Sequence, residues 1–195
     1  MSQNKVLYES PNFHMVERNG MVGVIPLFMN VVIMPFISDE QGLPLAVGVL
    51  EEDNPFREGG RCVTLITGTS DEEDPDLLST AKRELFEESG FEASENERWY
   101  YLGSVTSSKF VDHEQPCFAV DVTGLDKVKA PTDGSEQEQN MEFKFIPAND
   151  VVKSRDIFIP GLFLKLFKYV LGIDIQGSSH SSEEGNKSRG FNFSI

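Results

Sequence analysis

The chain has 195 residues, 39% of them hydrophobic and 25% charged, with a net charge of −15. This is one domain's worth of ordinary globular composition, and the acid excess argues against a general nucleic-acid binder, which needs clustered Lys and Arg. Two cysteines, Cys62 and Cys117, are too few for a disulfide framework or a zinc site, and no apolar stretch approaches the roughly 20 residues of a membrane span.

Residues 5–9 and 13–18 read as short strands around Ser10-Pro11-Asn12, and Asn19-Gly20 is a strong turn signal. From 21 to 37 the sequence is almost wholly apolar, and Pro26 and Pro35 rule out one long helix, so strands buried on both faces are expected. Residues 43–51 follow as a strand, 54–60 as a loop holding Phe56 and Arg57, and 61–66 as the strand that delivers Gly68. A helix is expected next, with Asp74 as N-cap, Pro75 at its first position, an apolar stripe of Leu78, Ala81 and Leu85, and Gly90 as its stop.

Downstream, residues 98–105 and 116–122 read as strands flanking a loop with Phe110, His113 and Glu114, where His113 is expected to be a solvated loop residue. Residues 125–139 form a long polar loop containing Glu136 and Glu138. A strand at 141–146, a short helix capped by Asn149 or Asp150, and a helix from 160 to 172 with a wide apolar face follow. Residues 176–195, rich in Ser, Gly, Glu and Asn, read as a flexible tail. The first residues lack the basic-then-apolar pattern of a secretory leader, so a reducing cytoplasm is the expected setting.

The helix after Gly68 carries the chemistry. Glu84 and Glu88 are four apart and Glu87 is three from Glu84, so three carboxylates share one flank and repel by roughly 0.2–0.5 kcal/mol per pair. Arg83 can relieve Glu87 at i,i+4, but one arginine does not neutralise three acids. Two readings are open: a solvated acidic face, or a seat for a hard divalent cation, which prefers carboxylate oxygens.

Residues 83–91, Arg-Glu-Leu-Phe-Glu-Glu-Ser-Gly-Phe, after a glycine-led acidic loop, resemble the second half of the Nudix box. The first half departs from the family spacing: its glycine position falls on Thr69 and its glutamate on Pro75. One extra loop residue restores Gly68 and leaves Glu73 or Asp74 as the acid. The resemblance is strongest to ADP-ribose pyrophosphatases and covers about residues 19–171.

The resemblance implies an α+β fold, a Nudix-like α/β/α sandwich with a mixed sheet. Residues 19–175 would form the hydrolase domain, 1–18 an N-terminal segment that can serve a homodimer, and 176–195 the tail. It implies hydrolysis of a nucleoside diphosphate derivative, ADP-ribose to AMP and ribose 5-phosphate first among them, with Mg²⁺ (or Mn²⁺) on the Gly68 carbonyl, Glu84, Glu87 and Glu88. Glu138, with Glu136 in reserve, would take the water proton; Glu87 and Arg83 complete the catalytic set, Arg83 as partner of the acids. Phe56, Arg57, Phe110 and Glu114 correspond to substrate contacts. The alternatives are another substrate of the class (an ADP-sugar, NADH, a dinucleoside polyphosphate) or a Nudix-fold protein that binds a nucleotide or partner without cleaving it.

Overall fold

The N-terminal alternation of polar and apolar residues pairs with itself. In the computed structural model, which describes residues 5–128 and 140–172, β1 (Lys5–Glu9), β2 (Phe13–Arg18) and β3 (Met21–Pro26) form a three-stranded antiparallel sheet. Asn19 (φ 54°) and Gly20 (φ 78°) make the two-residue turn between β2 and β3; two positive φ values are what a type I′ hairpin requires. The strand after that turn therefore belongs to the N-terminal sheet rather than to the main one.

Among the described residues the main sheet has seven strands: β4 (Asn30–Ser38), β5 (Pro44–Asp53), β6 (Arg61–Thr64), β7 (Ile66–Thr69), β8 (Trp99–Val105), β9 (Gln115–Asp121) and β10 (Glu142–Pro147). Its order is β10-β5-β4-β9-β8, with β6 paired to β5 and β7 to β4. Among these strands only β4 and β9 run parallel, so the sheet is mixed. On one edge β4 pairs first with β7, from Asn30 to Ile33, and then with β5, from Phe36 to Ser38. Pro35 falls in the gap between those partners, where its missing N–H forfeits no ladder bond on that edge.

That splay also divides the expected 61–66 strand. One strand cannot follow β5 and β4 as they separate, so the chain breaks at Leu65, which is buried, and continues as β7.

Among the described residues, two α-helices cover the sheet. α1 (Leu77–Ser89) sets Ala81 and Leu85 against Val31, Ile33, Leu50, Ile66, Phe118 and Val120. α2 (Phe158–Val170) sets Ile159, Leu162 and Leu166 against Val32, Met34, Phe36, Val47 and Val49. Alternate residues of β4 thus serve opposite cores, which explains a strand apolar at every position. The layers are α/β/α.

The helix ends differ from expectation in detail. Residues 148–153 form a 3-10 helix without a side-chain cap; Asp150 pairs with Lys153 instead. α2 begins two residues early, and Pro160 lies in its first turn, where no intrahelical N–H is needed.

Candidate metal centre

Gly68 lies on β7 opposite Val31 and hands the chain to the acidic loop before α1. The helix is capped by Asp76, whose Oδ1 accepts from the Ser79 amide at 2.8 Å and from its hydroxyl at 2.9 Å. Asp74, expected to cap, is held elsewhere: Arg83 Nη2 donates to its Oδ2 at 3.0 Å, as does the Asp71 amide at 3.0 Å. At the other end Gly90 adopts φ 76° and its N–H closes on Phe86 O at 2.9 Å. A Cβ there would meet Val128 O at 2.3 Å, so glycine is required by conformation and by space.

Arg83 is the hub. Besides Asp74, its Nη2 donates to Thr69 O at 2.9 Å, and its Nη1 donates to Glu84 Oε1 at 2.8 Å and Glu87 Oε2 at 3.0 Å. Asp71 Oδ2 lies 3.4 Å from Nη2. One guanidinium thus ties the loop after β7 to the acid flank of α1. Asp71 was not singled out in the sequence; its place in the acidic run 71–74, facing an arginine on the next helix, was the available signal.

The electrostatics follow. The bond from Arg83 holds the Asp74 carboxyl below the usual range, and the same bond pushes the Arg83 guanidinium up. Burial raises the Glu84 carboxyl; Arg83 opposes this, while Glu87 and Asp71 add to it. The Glu84 side chain is only 13% exposed. It lies directly over Gly68, where an added Cβ would sit 2.0 Å from its Cγ and Cδ. Here glycine answers a need for space, since its φ is not positive. Oε2 of Glu88, on the same helix, is covered from solvent.

Among the described residues no three His, Cys, Asp or Glu side chains stand ready around a common point as a metal cage. The donor set nevertheless fits a hard divalent ion: two carboxylates already converge on one positive centre, the Nη1 of Arg83, and Glu84 is seated against the Gly68 backbone. Binding such an ion there requires the carboxylates to turn from Arg83, or to share their oxygens with it.

The other described candidate residues sit on two loops outside α1 and the loop before it. Phe56 is 95% exposed on the β5–β6 hairpin, and Arg57 lines a cavity beside that hairpin. Phe110 is half-exposed, carries Lys109 Nζ at 4.9 Å from its ring, and lines a cavity of about 420 Å³ between β3 and the β8–β9 loop. The loop is pinned to β3 by Val24 N to Phe110 O at 2.8 Å and Asp112 N to Val24 O at 2.9 Å. Glu114 is exposed. His113 is less solvated than expected: it is half-buried, and its Nε2 is covered without a hydrogen-bond partner among the described residues. Glu136 and Glu138 lie outside the described residues.

No family model and no curated protein matches the sequence. Solved structures do match the fold. An ADP compounds hydrolase superposes with a TM-score of 0.61 at 12% identity, over 87% of this chain and 92% of that one. A protein of Listeria monocytogenes str. 4b F2365 assigned as a Nudix hydrolase superposes with a TM-score of 0.51 at 19% identity, over 74% of this chain and 94% of that one. The fold is Nudix-like. Within this Nudix-like fold, residues 83–91 occupy the second half of α1 and the turn after it, directly behind the β7 loop. Of Glu73 and Asp74, it is Asp74 that accepts from Arg83, while Glu73 is exposed.

Proposed function

We propose that the chain is a Mg²⁺- or Mn²⁺-dependent hydrolase of nucleoside diphosphate derivatives, with ADP-ribose, giving AMP and ribose 5-phosphate, as the first substrate to test. The observation that carries this reading is the convergence of Glu84 and Glu87 on one cationic centre while Glu84 is lodged over Gly68. Glu84, Glu87, Glu88 and the Gly68 carbonyl are the groups that would hold the ion. When bound, it would neutralise developing negative charge on the pyrophosphate and lower the pKa of water. Arg83 keeps the β7 loop and α1 in register and holds two carboxylates facing the same point. Glu138 is the proposed acceptor of the water proton, which requires it to reach hydrogen-bonding distance of that water. Phe110, half-exposed beside the 420 Å³ cavity, offers a ring on which a nucleobase can stack, and Glu114 stands four residues on in the same loop.

The test is AMP release from ADP-ribose with Mg²⁺ by wild type and Glu87→Gln. A loss of roughly 10²-fold or more is expected for a group that acts mainly in the transition state. The closed pairing of Glu84 and Glu87 with Arg83 favours a second reading, a binder that does not cleave. Tight nucleotide binding without turnover in either protein would select it. The same proposal takes residues 1–18 as a homodimer segment, since Val6, Leu7 and Tyr8 are exposed there. Sedimentation at two concentrations tests that part.

A further inference from the structure

Ile159, Leu162 and Leu166 turn one side of α2 into the core, and the opposite side faces outward. Along it stand Ile157, Gly161, Leu164, Lys168 and Leu171, spaced four, three, four and three. That spacing keeps side chains in line along a helix, as in a coiled-coil seam. Ile157 and Leu171 flank α2 but keep right-handed helical backbone, so the stripe runs unbroken for about 21 Å. Ile157 is 74% exposed and Leu164 70%, and Leu171 is exposed as well.

Two features set this face apart. Residues 157–173 contain no Asp or Glu, in a chain that has 32 of them. Gly161 lies within the helix, where glycine is a poor former, and nothing in the fold of one chain demands it. Its φ is not positive, and an added Cβ would meet nothing within 4 Å. A missing side chain on an open helix face does allow a second helix to come close.

We propose that this face pairs with the same face of a second copy of the chain, the two α2 helices running antiparallel about a two-fold axis at Leu164. The direction follows from the order of residues along the stripe. Run parallel, the helices would set Gly161 against Gly161, leaving a void, and Lys168 against Lys168, two like charges. Run antiparallel, Leu164 meets the partner's Leu164 and Ile157 meets the partner's Leu171. The aliphatic stem of Lys168 then lies over the partner's Gly161, with its ammonium group in water. Opposed helix dipoles favour the same arrangement, and an isologous contact of this kind closes on two copies. It is separate from the contact proposed for residues 1–18. It does not rest on the hydrolase reading either, since α1 and the loop before it take no part.

The experiment is oxidative cross-linking of cysteine variants of the full chain, with wild type, whose Cys62 is half-buried and Cys117 buried, as the blank. Leu164→Cys is expected to give a disulfide-linked dimer. Ile157→Cys and Leu171→Cys are each expected to stay unlinked alone and to link when mixed. Sedimentation equilibrium is expected to show self-association weakened at least tenfold in Leu164→Glu and in Gly161→Gln. Both positions are exposed, so the variants keep the fold, which thermal melts verify. A linked dimer from Ile157→Cys alone, no link in Leu164→Cys, or association indifferent to Leu164→Glu would each overturn the assignment. So would a Leu164→Cys thiol shielded from maleimide in a monomer, which would give the face to another segment of the same chain.

Discussion

Replacing Gly68 by alanine probes the seat of Glu84 directly. The new methyl group would lie 2.0 Å from Glu84 Cγ and Cδ and 2.3 Å from Oε1. No rotation of an alanine relieves that, so the carboxylate must leave. Moving it breaks the 2.8 Å bond from Arg83, worth about 1.5–3 kcal/mol as a charge-assisted contact; holding it in place instead costs about 1–3 kcal/mol of overpacking. These are alternatives, not a sum, and the expected loss is about 2 kcal/mol, or roughly 4–8 °C in Tm for a chain of this length. Urea denaturation with an unchanged m-value measures it. The decisive comparison is the same substitution in a Glu84→Ala background. There the obstacle is gone and the backbone φ tolerates alanine, so Gly68→Ala should cost less than about 0.5 kcal/mol or be slightly stabilising through the unfolded state. An equal penalty in both backgrounds would refute the reasoning.

Arg83→Ala strands Asp74 and Glu84, whose side chains are 11% and 13% exposed, while its bonds to the more open Glu87 and Asp71 count for little; a loss of about 2–3 kcal/mol is expected, between surface and fully buried pairs. Its pH dependence follows from Asp74: a lowered folded pKa contributes stability above the unfolded value, about 3.9, and loses it as pH falls through the folded value. The gap between wild type and Arg83→Ala should therefore be full near pH 6 and narrow in acid, as acid melts of both proteins will record. Glu84 runs the other way, since its raised pKa contributes stability at low pH that is lost as pH rises through the folded value. Asp76→Ala removes the helix cap and should cost about 1 kcal/mol by the same denaturation assay.

Much of the fold could be read from local pattern. The unbroken apolar run of β4 announced a strand with two buried faces, Asn19-Gly20 announced the turn between β2 and β3, and Gly90 ended α1 where left-handed backbone was needed. The crowding of Glu84 and Glu87 followed from helical spacing alone. What escaped the sequence depends on tertiary demand. Asp71, Glu72, Glu73, Asp74 and Asp76 all lie just ahead of α1, and Arg83, one turn and a half into the helix, claims Asp74 and leaves capping to Asp76. The break at Leu65 reflects the divergence of β4 from β5, and Arg155 comes to line one cavity with Arg57 only because the link to α2 folds back on the β5–β6 hairpin. His113 lost its solvation in the same way, through the packing of its loop rather than any feature of its neighbours in sequence.

A Mn²⁺ titration of wild type and the Glu84→Gln/Glu87→Gln double variant, followed by loss of the free-ion electron paramagnetic resonance signal, bears most directly on the α1 flank. The account predicts saturable uptake by wild type that is weakened at least tenfold in the double variant. Uptake of equal strength in both proteins, or none in either, would contradict it.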